Sequence, residues 1–154
     1  MYPSVLVDMI FAMSTFASAR AAGRIEGLEA LLSRLRRCSS PAQAENLVAY
    51  AIPDLVDAIW ATLYLSDDGA PPVVYGDDTW QHLADEALAR RMPCAMRANG
   101  EVTTAIPIFA DTGVAGVLLM SSAGELSERD QRTLRLFAAR AGRAVRRPGL
   151  PVSA

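Results

Sequence analysis

The longest hydrophobic stretch in the second half of the chain, residues 103–122, predicts a β-hairpin. Its turn, residues 111–113, ends in a glycine, which can take the positive φ that a short hairpin loop needs. The run over residues 113–120 is apolar without alternation, so both faces of the second strand are expected to be covered. Gly116 lies inside that strand and indicates a bulge or a close approach by another segment.

An alternating pattern predicts an earlier strand over residues 59–65. Aliphatic residues alternate there with Trp60, Thr62 and Tyr64, so one face suits a core. The other face suits either a half-exposed sheet surface or the wall of a pocket. Residues 73–75 predict a short returning strand, which the two prolines before it keep from the centre of a sheet.

Helical periodicity covers much of the remaining chain. Leucines at helical spacing predict a helix over residues 23–37, and Ser40 as an N-cap predicts a second helix that ends before Pro53. A third helix is expected over residues 78–92, followed by a loop over residues 94–101. These elements, together with the hairpins, favour an α+β arrangement with helices on the faces of an antiparallel sheet.

The last helix has the clearest start. Ser127 and Asp130 form a capping box, after which Leu134 and Phe137 lie on one face and arginines lie mainly on the other. Arginines in the last turns also suit the negative end of the helix dipole.

An apolar stretch over residues 5–19 leaves three interpretations open. It is shorter than the roughly 20 residues that span a bilayer, and Asp8 interrupts it. A secretory signal needs a positive charge ahead of the apolar run, and none is present, although residues 17–19 resemble a cleavage site. We favour a helix buried in a bundle between subunits, with a membrane or signal role as the alternative.

Composition narrows the functional classes. The 154 residues are enough for one domain with a sizeable core, and the net charge of −2 argues against a nucleic-acid partner. Every basic residue is an arginine, which we interpret as the coding bias of a GC-rich bacterium. Cys38 and Cys94 lie in unlike contexts and form no disulfide framework, which favours a cytoplasmic location.

The segment AIPIFADTGVAGVLLMSSAGELSERDQRTLRLFAARAGRAV, residues 105–145, resembles the C-terminal half of a GAF domain. In that family an Ile-Pro strand precedes a glycine-containing turn, a Gly-Val-Leu strand and an acidic-capped helix. The corresponding residues here are Ile106-Pro107, Gly113, Gly116-Val117-Leu118 and the helix that follows Ser127. WATLYLSDDG, residues 60–69, is similar to the start of the family's first strand pair, so the resemblance covers about residues 27–147.

The resemblance implies a central antiparallel sheet of about five to six strands. The N- and C-terminal helices are expected on one face, and the middle helix and loops are expected over a small-molecule pocket on the other. Residues 23–147 then form the domain, with residues 1–22 as a dimer or bundle helix and residues 148–154 as a disordered tail. The resemblance also implies a homodimer through its terminal helices, with Leu6, Met9, Met13, Leu28, Leu31, Leu35, Leu134, Phe137 and Ala141 at the interface.

Candidate ligand-binding residues lie on the aromatic strand face, on the middle helix and on the segment that leads into the hairpin. They are Trp60, Thr62, Tyr64, Trp80, His82, Cys94, Met96 and Thr104. His82 fits a surface position better than a haem ligand, because no residues at metal-ligand spacing accompany it. Ala95 follows Cys94, whereas bilin-binding members commonly have a histidine there, so no cofactor follows from the sequence.

Three functions remain open. The favoured one is a non-catalytic regulatory or sensory domain that dimerises, binds a small molecule on its sheet and signals through a partner protein. A ligand-free dimeric assembly protein is the first alternative. The second is a redox enzyme that resembles the free methionine-R-sulfoxide reductases and uses Cys94, although resolving an oxidised thiol needs a second nearby sulfur.

Overall fold

The computed structural model describes residues 23, 25–66, 70–75, 78–111 and 113–145. The helices within these ranges are α1, helical over residues 25–36, α2 (Pro41–Leu55), α3 (Asp78–Arg90) and α4 (Glu128–Val145). The strands are β1 (Trp60–Leu65), β2 (Cys94–Ala98), β3 (Glu101–Ala110) and β4 (Gly113–Ser122). The predictions for residues 1–22 and 148–154, and with them Leu6, Met9 and Met13, lie outside the described residues.

The four strands form one antiparallel sheet in the order β1-β4-β3-β2. Leu118 of β4 lies opposite Leu63 of β1 on one side and Ile106 of β3 on the other, and it is fully buried. This central position accounts for the continuous apolar run of β4, because helices cover both faces of the sheet there. The predicted hairpin of β3 and β4 and the predicted α+β class are confirmed.

A bulge interrupts the pairing of β3 with β4. The register shifts between Ile108 and Phe109, which leaves Ala115 as an extra residue on β4. The carbonyl of Ala115 instead accepts a hydrogen bond from the Ser66 amide at 2.8 Å. Beside it, a Cβ at Gly116 would lie 2.5 Å from the carbonyl oxygen of Tyr64, so the close approach that the sequence predicted requires glycine.

The two faces of the sheet carry separate apolar clusters. The main core lies between the sheet and α1, α2 and α4. The α3-side cluster lies on the opposite face, and its buried members are Val74, Leu83, Ala84, Ala87, Ala105, Val117 and Leu119. The sequence therefore placed the terminal helices and the middle helix on the correct faces.

The described residues that were predicted to form a dimer interface lie in the main core of the chain itself. They are Leu28, Leu31, Leu35, Leu134, Phe137 and Ala141, each at most 5% exposed. Their helical spacing therefore reports packing within one chain, and dimerisation through the terminal helices stays a prediction.

The predicted helix starts at Ser40 and Ser127 are confirmed. Ser40 Oγ accepts a hydrogen bond from the Gln43 amide at 3.2 Å, and Ser127 Oγ accepts one from the Asp130 amide at 3.1 Å. The predicted end of α2 is wrong, because the helix continues through Pro53 to its end at Leu55. In the described ranges no helix combines the length and apolarity needed to cross a bilayer.

Two predictions about strands are also wrong, and four strands are described rather than five to six. Residues 73–75 form no strand, because the prolines before them offer no amide donors and the Val74 amide binds the side chain of Gln81. Residues 94–98 form the edge strand β2 instead of a loop. Asn99 and Gly100 both have positive φ, 54° and 78°, and join β2 to β3 in a two-residue turn.

Two polar and backbone contacts fix α4 on the rest of the domain. Asp130 is 3% exposed, and its carboxylate accepts a hydrogen bond at 3.0 Å from the Asp57 amide, just beyond α2. At the other end of α4, the backbone of Gly142 lies against Phe109 of β3. A Cβ at Gly142 would come within 2.8 Å of the Phe109 carbonyl carbon, and closer still to its oxygen.

Candidate functional site

Aromatic side chains from β1 line the sheet on its α3 side. Alternation along β1 directs Ala61 and Leu63 into the main core and Trp60, Thr62 and Tyr64 to the other face. The rings of Trp60 and Trp80 lie 5.1 Å apart between centroids at an angle of 47°. This distance is in the range of favourable tilted aromatic pairs.

A second aromatic pair stands further along the same strand. The rings of Tyr64 and Tyr75 lie 6.5 Å apart at 43°. Trp60 and Tyr64 are four residues apart, so their Cα atoms are separated by about 13 Å along the strand. Thr62 lies between them, half-buried, and its hydroxyl has no hydrogen-bond partner among the described residues. We name this arrangement of two aromatic pairs with Thr62 between them the aromatic slot.

Gln81 holds the segment before α3 against this face. Its Oε1 accepts a hydrogen bond from the Val74 amide at 2.8 Å, and its Nε2 donates to the Pro72 carbonyl at 3.4 Å. Val74 is thereby buried in the α3-side cluster. The slot is therefore framed by two elements, β1 and α3, and by a chain segment that a single glutamine anchors.

The Tyr64 hydroxyl supplies polar chemistry at one end of the slot. It donates to the Tyr75 carbonyl at 3.4 Å, which is a long hydrogen bond. Burial, followed by the charge of Glu45, raises the pKa of Tyr64 above its usual value. The hydroxyl therefore stays protonated at neutral pH, and it can donate a hydrogen bond to a ligand in place of the long one.

Cys94 and Met96 of β2 pack against the edge of the α3-side cluster. Burial, followed by the charge of Glu86, raises the pKa of the Cys94 thiol, and Arg90 only partly opposes this effect. A raised pKa disfavours the thiolate, which is the nucleophilic form. Cys38 lies in the main core, on the opposite face of the sheet, so the two thiols of one chain do not meet.

Two of the predicted site residues lie elsewhere. His82 is exposed on the outer side of α3, away from the sheet. Thr104 lies opposite Ala95 and Met120 and shares their face of the sheet, whereas its neighbour Ala105 belongs to the α3-side cluster. The structure therefore does not bring Thr104 together with the aromatic residues, and its role in ligand binding stays a prediction. No group of three or more side chains able to hold a metal ion occurs within the described ranges.

Sequence reasoning missed a groove of about 460 Å³ on the face that carries α4. Thr104 and Ile106 of β3 lie in its floor, β2 forms one side, and Leu134 and Arg135 of α4 form the other. We name it the β2–α4 groove. The sequence offered one cue, the Asn-Gly pair at residues 99–100, which is typical of a two-residue hairpin and would have predicted strand β2.

No family model matches this sequence, and no curated protein matches it. Solved structures are similar to it in fold. One is the GAF domain of a phosphoenolpyruvate-protein phosphotransferase from Acinetobacter, at 12% identity and a TM-score of 0.61, covering 79% of this chain and 91% of that one. Another is the GAF domain of the potassium sensor histidine kinase KdpD from Escherichia coli, at 15% identity and a TM-score of 0.59, covering 77% and 90%.

A third similar structure is the free methionine-R-sulfoxide reductase from Neisseria meningitidis in complex with its substrate. It is 16% identical to this chain, with a TM-score of 0.61, and the match covers 81% of this chain and 89% of that one. The fold of the chain is thus GAF-like, as the sequence resemblance implied. The GAF fold is common to sensor and enzyme structures among these neighbours, so function must be argued from the side chains.

Proposed function

We propose that this chain is a non-catalytic regulatory domain that binds a small planar molecule in the aromatic slot and signals through a partner protein. The observation that carries the proposal is the pair of aromatic contacts, Trp60 with Trp80 and Tyr64 with Tyr75, on either side of an unpaired threonine hydroxyl. Flat apolar walls with a few placed polar groups are typical of small-molecule sites.

The chemistry of the slot favours a neutral ligand. None of the five side chains that define the slot, Trp60, Thr62, Tyr64, Tyr75 and Trp80, is an acidic or basic residue. An ionised ligand there would lose its hydration without gaining a partner of opposite charge, at a considerable cost in free energy. Thr62 and the Tyr64 hydroxyl can each donate or accept one hydrogen bond. A planar heteroaromatic compound with one or two polar edge atoms meets these conditions.

The thiols support the non-catalytic part of the proposal. A redox enzyme of the sulfoxide-reductase type needs a thiolate and a second sulfur to resolve the oxidised product. The raised pKa of Cys94 disfavours the first, and the burial of Cys38 on the other face removes the second within one chain.

We propose further that the chain forms a homodimer through the outer surfaces of its terminal helices. Ile25 of α1 is 66% exposed and Leu136 of α4 is 43% exposed. The inner surfaces of both helices are buried in the main core. An ion pair of Glu29 with Arg140 joins α1 to α4, so the two helices present one joint surface. A change in the sheet would be transmitted through these helices to a partner protein or to a second copy of this chain.

The two tryptophans make the proposed slot directly observable. Trp60 and Trp80 are the only tryptophans in the sequence, so the protein has two indole N–H resonances and both report on the slot. We expect neutral planar probes (nicotinamide, adenine and caffeine) to include at least one that shifts both resonances in a saturable manner. Trp80→Leu, which removes one wall, should weaken that binding by about tenfold.

The control variant is Tyr50→Ala, because Tyr50 is 80% exposed on α2, on the far side of the sheet. This variant should bind the probe like the natural chain. The proposal fails if no neutral planar compound moves the indole resonances, or if Trp80→Leu binds the probe as tightly as the natural chain.

A further inference from the structure

We propose that the β2–α4 groove is a second binding site, on the opposite face of the sheet from the aromatic slot, and that its ligand is a small organic carboxylate with an apolar body. The groove measures about 460 Å³, within the range of sites for small organic molecules. Its lining is largely apolar and includes Met92, Val102, Ile106, Leu126 and Leu134. The apolar body of a ligand would replace water on this surface.

Thr104 is the first polar feature that indicates a ligand. Only 8% of its surface is exposed, yet its hydroxyl makes no hydrogen bond to any described residue. Thr104 lies in the floor of the groove. Thr104 is thus more than nine-tenths buried, lines the groove and has a hydroxyl that a bound molecule can use as a hydrogen-bond partner.

Charge is the second feature. Two arginines and one acidic residue line the groove, and Arg97 is already paired with Glu125 at 2.8 Å. Arg135 has no acidic partner among the described residues. Its neighbours one turn away on α4 are not acidic (Gln131 and Ala139, for example), so the helix itself offers no compensation. The lining therefore carries one uncompensated positive charge.

A single uncompensated guanidinium favours a carboxylate over more highly charged groups. The planar guanidinium of Arg135 can bind both oxygens of a carboxylate at once. A phosphate dianion would bring a second negative charge close to Glu125, and Arg97, the other arginine of the lining, is already paired with that residue. A neutral molecule would leave Arg135 unpaired. The charge balance and the apolar lining together select a monoanion with a hydrocarbon or aromatic body.

The test compares three eight-carbon probes that differ in their head group: octanoate, octanamide and octylamine. Binding is followed by the methyl resonances of Ala95 and Thr104, which lie in the groove, and by the two indole resonances, which lie on the other face. We expect octanoate to shift the methyl resonances saturably, to bind at least tenfold more tightly than octanamide or octylamine, and to leave the indole resonances in place.

Variants separate charge from packing. Arg135→Gln should weaken octanoate binding by about tenfold, and Thr104→Val by about threefold, because each removes one hydrogen-bonding group. Arg132→Gln is the matched control: it removes an arginine from the same helix that pairs with Glu128 and does not line the groove. Octanoate should bind this control like the natural chain.

Three results would overturn the proposal. The first is equal binding of the three probes, which would show that the groove is an apolar surface without selectivity for an anion. The second is an unchanged affinity in Arg135→Gln. The third is a set of nuclear Overhauser contacts, in the free full-length protein, between the Ala95 methyl and side chains of residues 1–22, which would assign the groove to the chain's own N-terminal segment. None of these results bears on the aromatic slot, which is monitored by the indole resonances.

Discussion

Gly142→Ala tests how closely α4 is seated on β3. An alanine in a helix is ordinarily more favourable than a glycine by about 1 kcal/mol, so the substitution should stabilise the protein if space allowed. The new Cβ would instead lie 2.8 Å from the Phe109 carbonyl carbon, whereas ordinary contacts begin near 3.4 Å. The opposing atoms are backbone, so no side-chain rotation relieves the clash.

The expected cost follows from the movement that the clash requires. Either α4 or the end of β3 must shift by more than half an ångström, which loosens the contacts of fully buried neighbours such as Phe137. Overpacking of this kind costs about 3 kcal/mol at the upper end of its usual range. After the gain in helix propensity, the free energy of unfolding should fall by about 2 kcal/mol, and Tm by about 4–8 °C.

Two other helical glycines provide controls for the same substitution. A Cβ at Gly23 meets nothing within 4 Å, and one at Gly27 lies 2.6 Å from the terminal methyl of Leu55, which is a flexible side chain. Urea unfolding should therefore rank the alanine variants in stability as Gly23, then Gly27, then Gly142. If Gly142→Ala proves as stable as Gly23→Ala, α4 does not approach β3 as closely as described.

Three further outcomes are expected. Asp130→Ala should lower the free energy of unfolding by about 2 kcal/mol in urea titrations, because the Asp57 amide loses a charged acceptor, and Asp130→Asn should lose less. Cys94 should react slowly with a disulfide reagent at neutral pH, because burial disfavours its thiolate. The reaction rate should rise with pH through a midpoint above the usual thiol pKa, and a midpoint at or below that value would contradict the reasoning. Leu136→Arg should halve the mass measured by light scattering if the outer surface of α4 forms the homodimer, whereas an unchanged dimeric mass would exclude that surface.

The parts of the fold that could be predicted depend on local chemistry. Ser40 and Ser127 cap helices through contacts three residues away, and Gly116 is required by a backbone contact that an interior strand glycine indicates. The continuous apolar run of β4 identified a strand covered on both faces. Each of these inferences needs only the residues of one element.

Features that depend on the relation between elements were harder to predict. β2 is an edge strand of only five residues, CAMRA, in which apolar and polar residues do not alternate, so its hydrophobic pattern is weak. The groove beside β2 could not be expected without the strand itself. The face on which Thr104 lies, by contrast, could have been predicted. Side chains two residues apart lie on the same face of a strand, and Thr104 is two and four residues from Ile106 and Ile108, which lie in the main core. Alternation alone would therefore have separated Thr104 from the aromatic face.

The helical stripe of α1 shows a different limit. A row of leucines at helical spacing predicts that one side of the helix is buried. The same row is typical both of a core within one chain and of a contact between subunits. In this chain the row faces α2, α4 and the sheet, with Leu32 and Leu35 fully buried. Only the positions of the other elements decide between the two uses.

The strand order β1-β4-β3-β2 also has a consequence for the kinetics of folding. β2, β3 and β4 follow one another through short turns, so their pairing needs only local loop closure. β1 must instead join β4 across about fifty to sixty residues, as in the pairing of Trp60 with Ser121. Such distant contacts incur a larger loss of chain entropy before they contribute stability, and they slow folding. Since Trp60 lies on the distant strand, its fluorescence in a Trp80→Phe variant would follow the addition of β1 to the sheet.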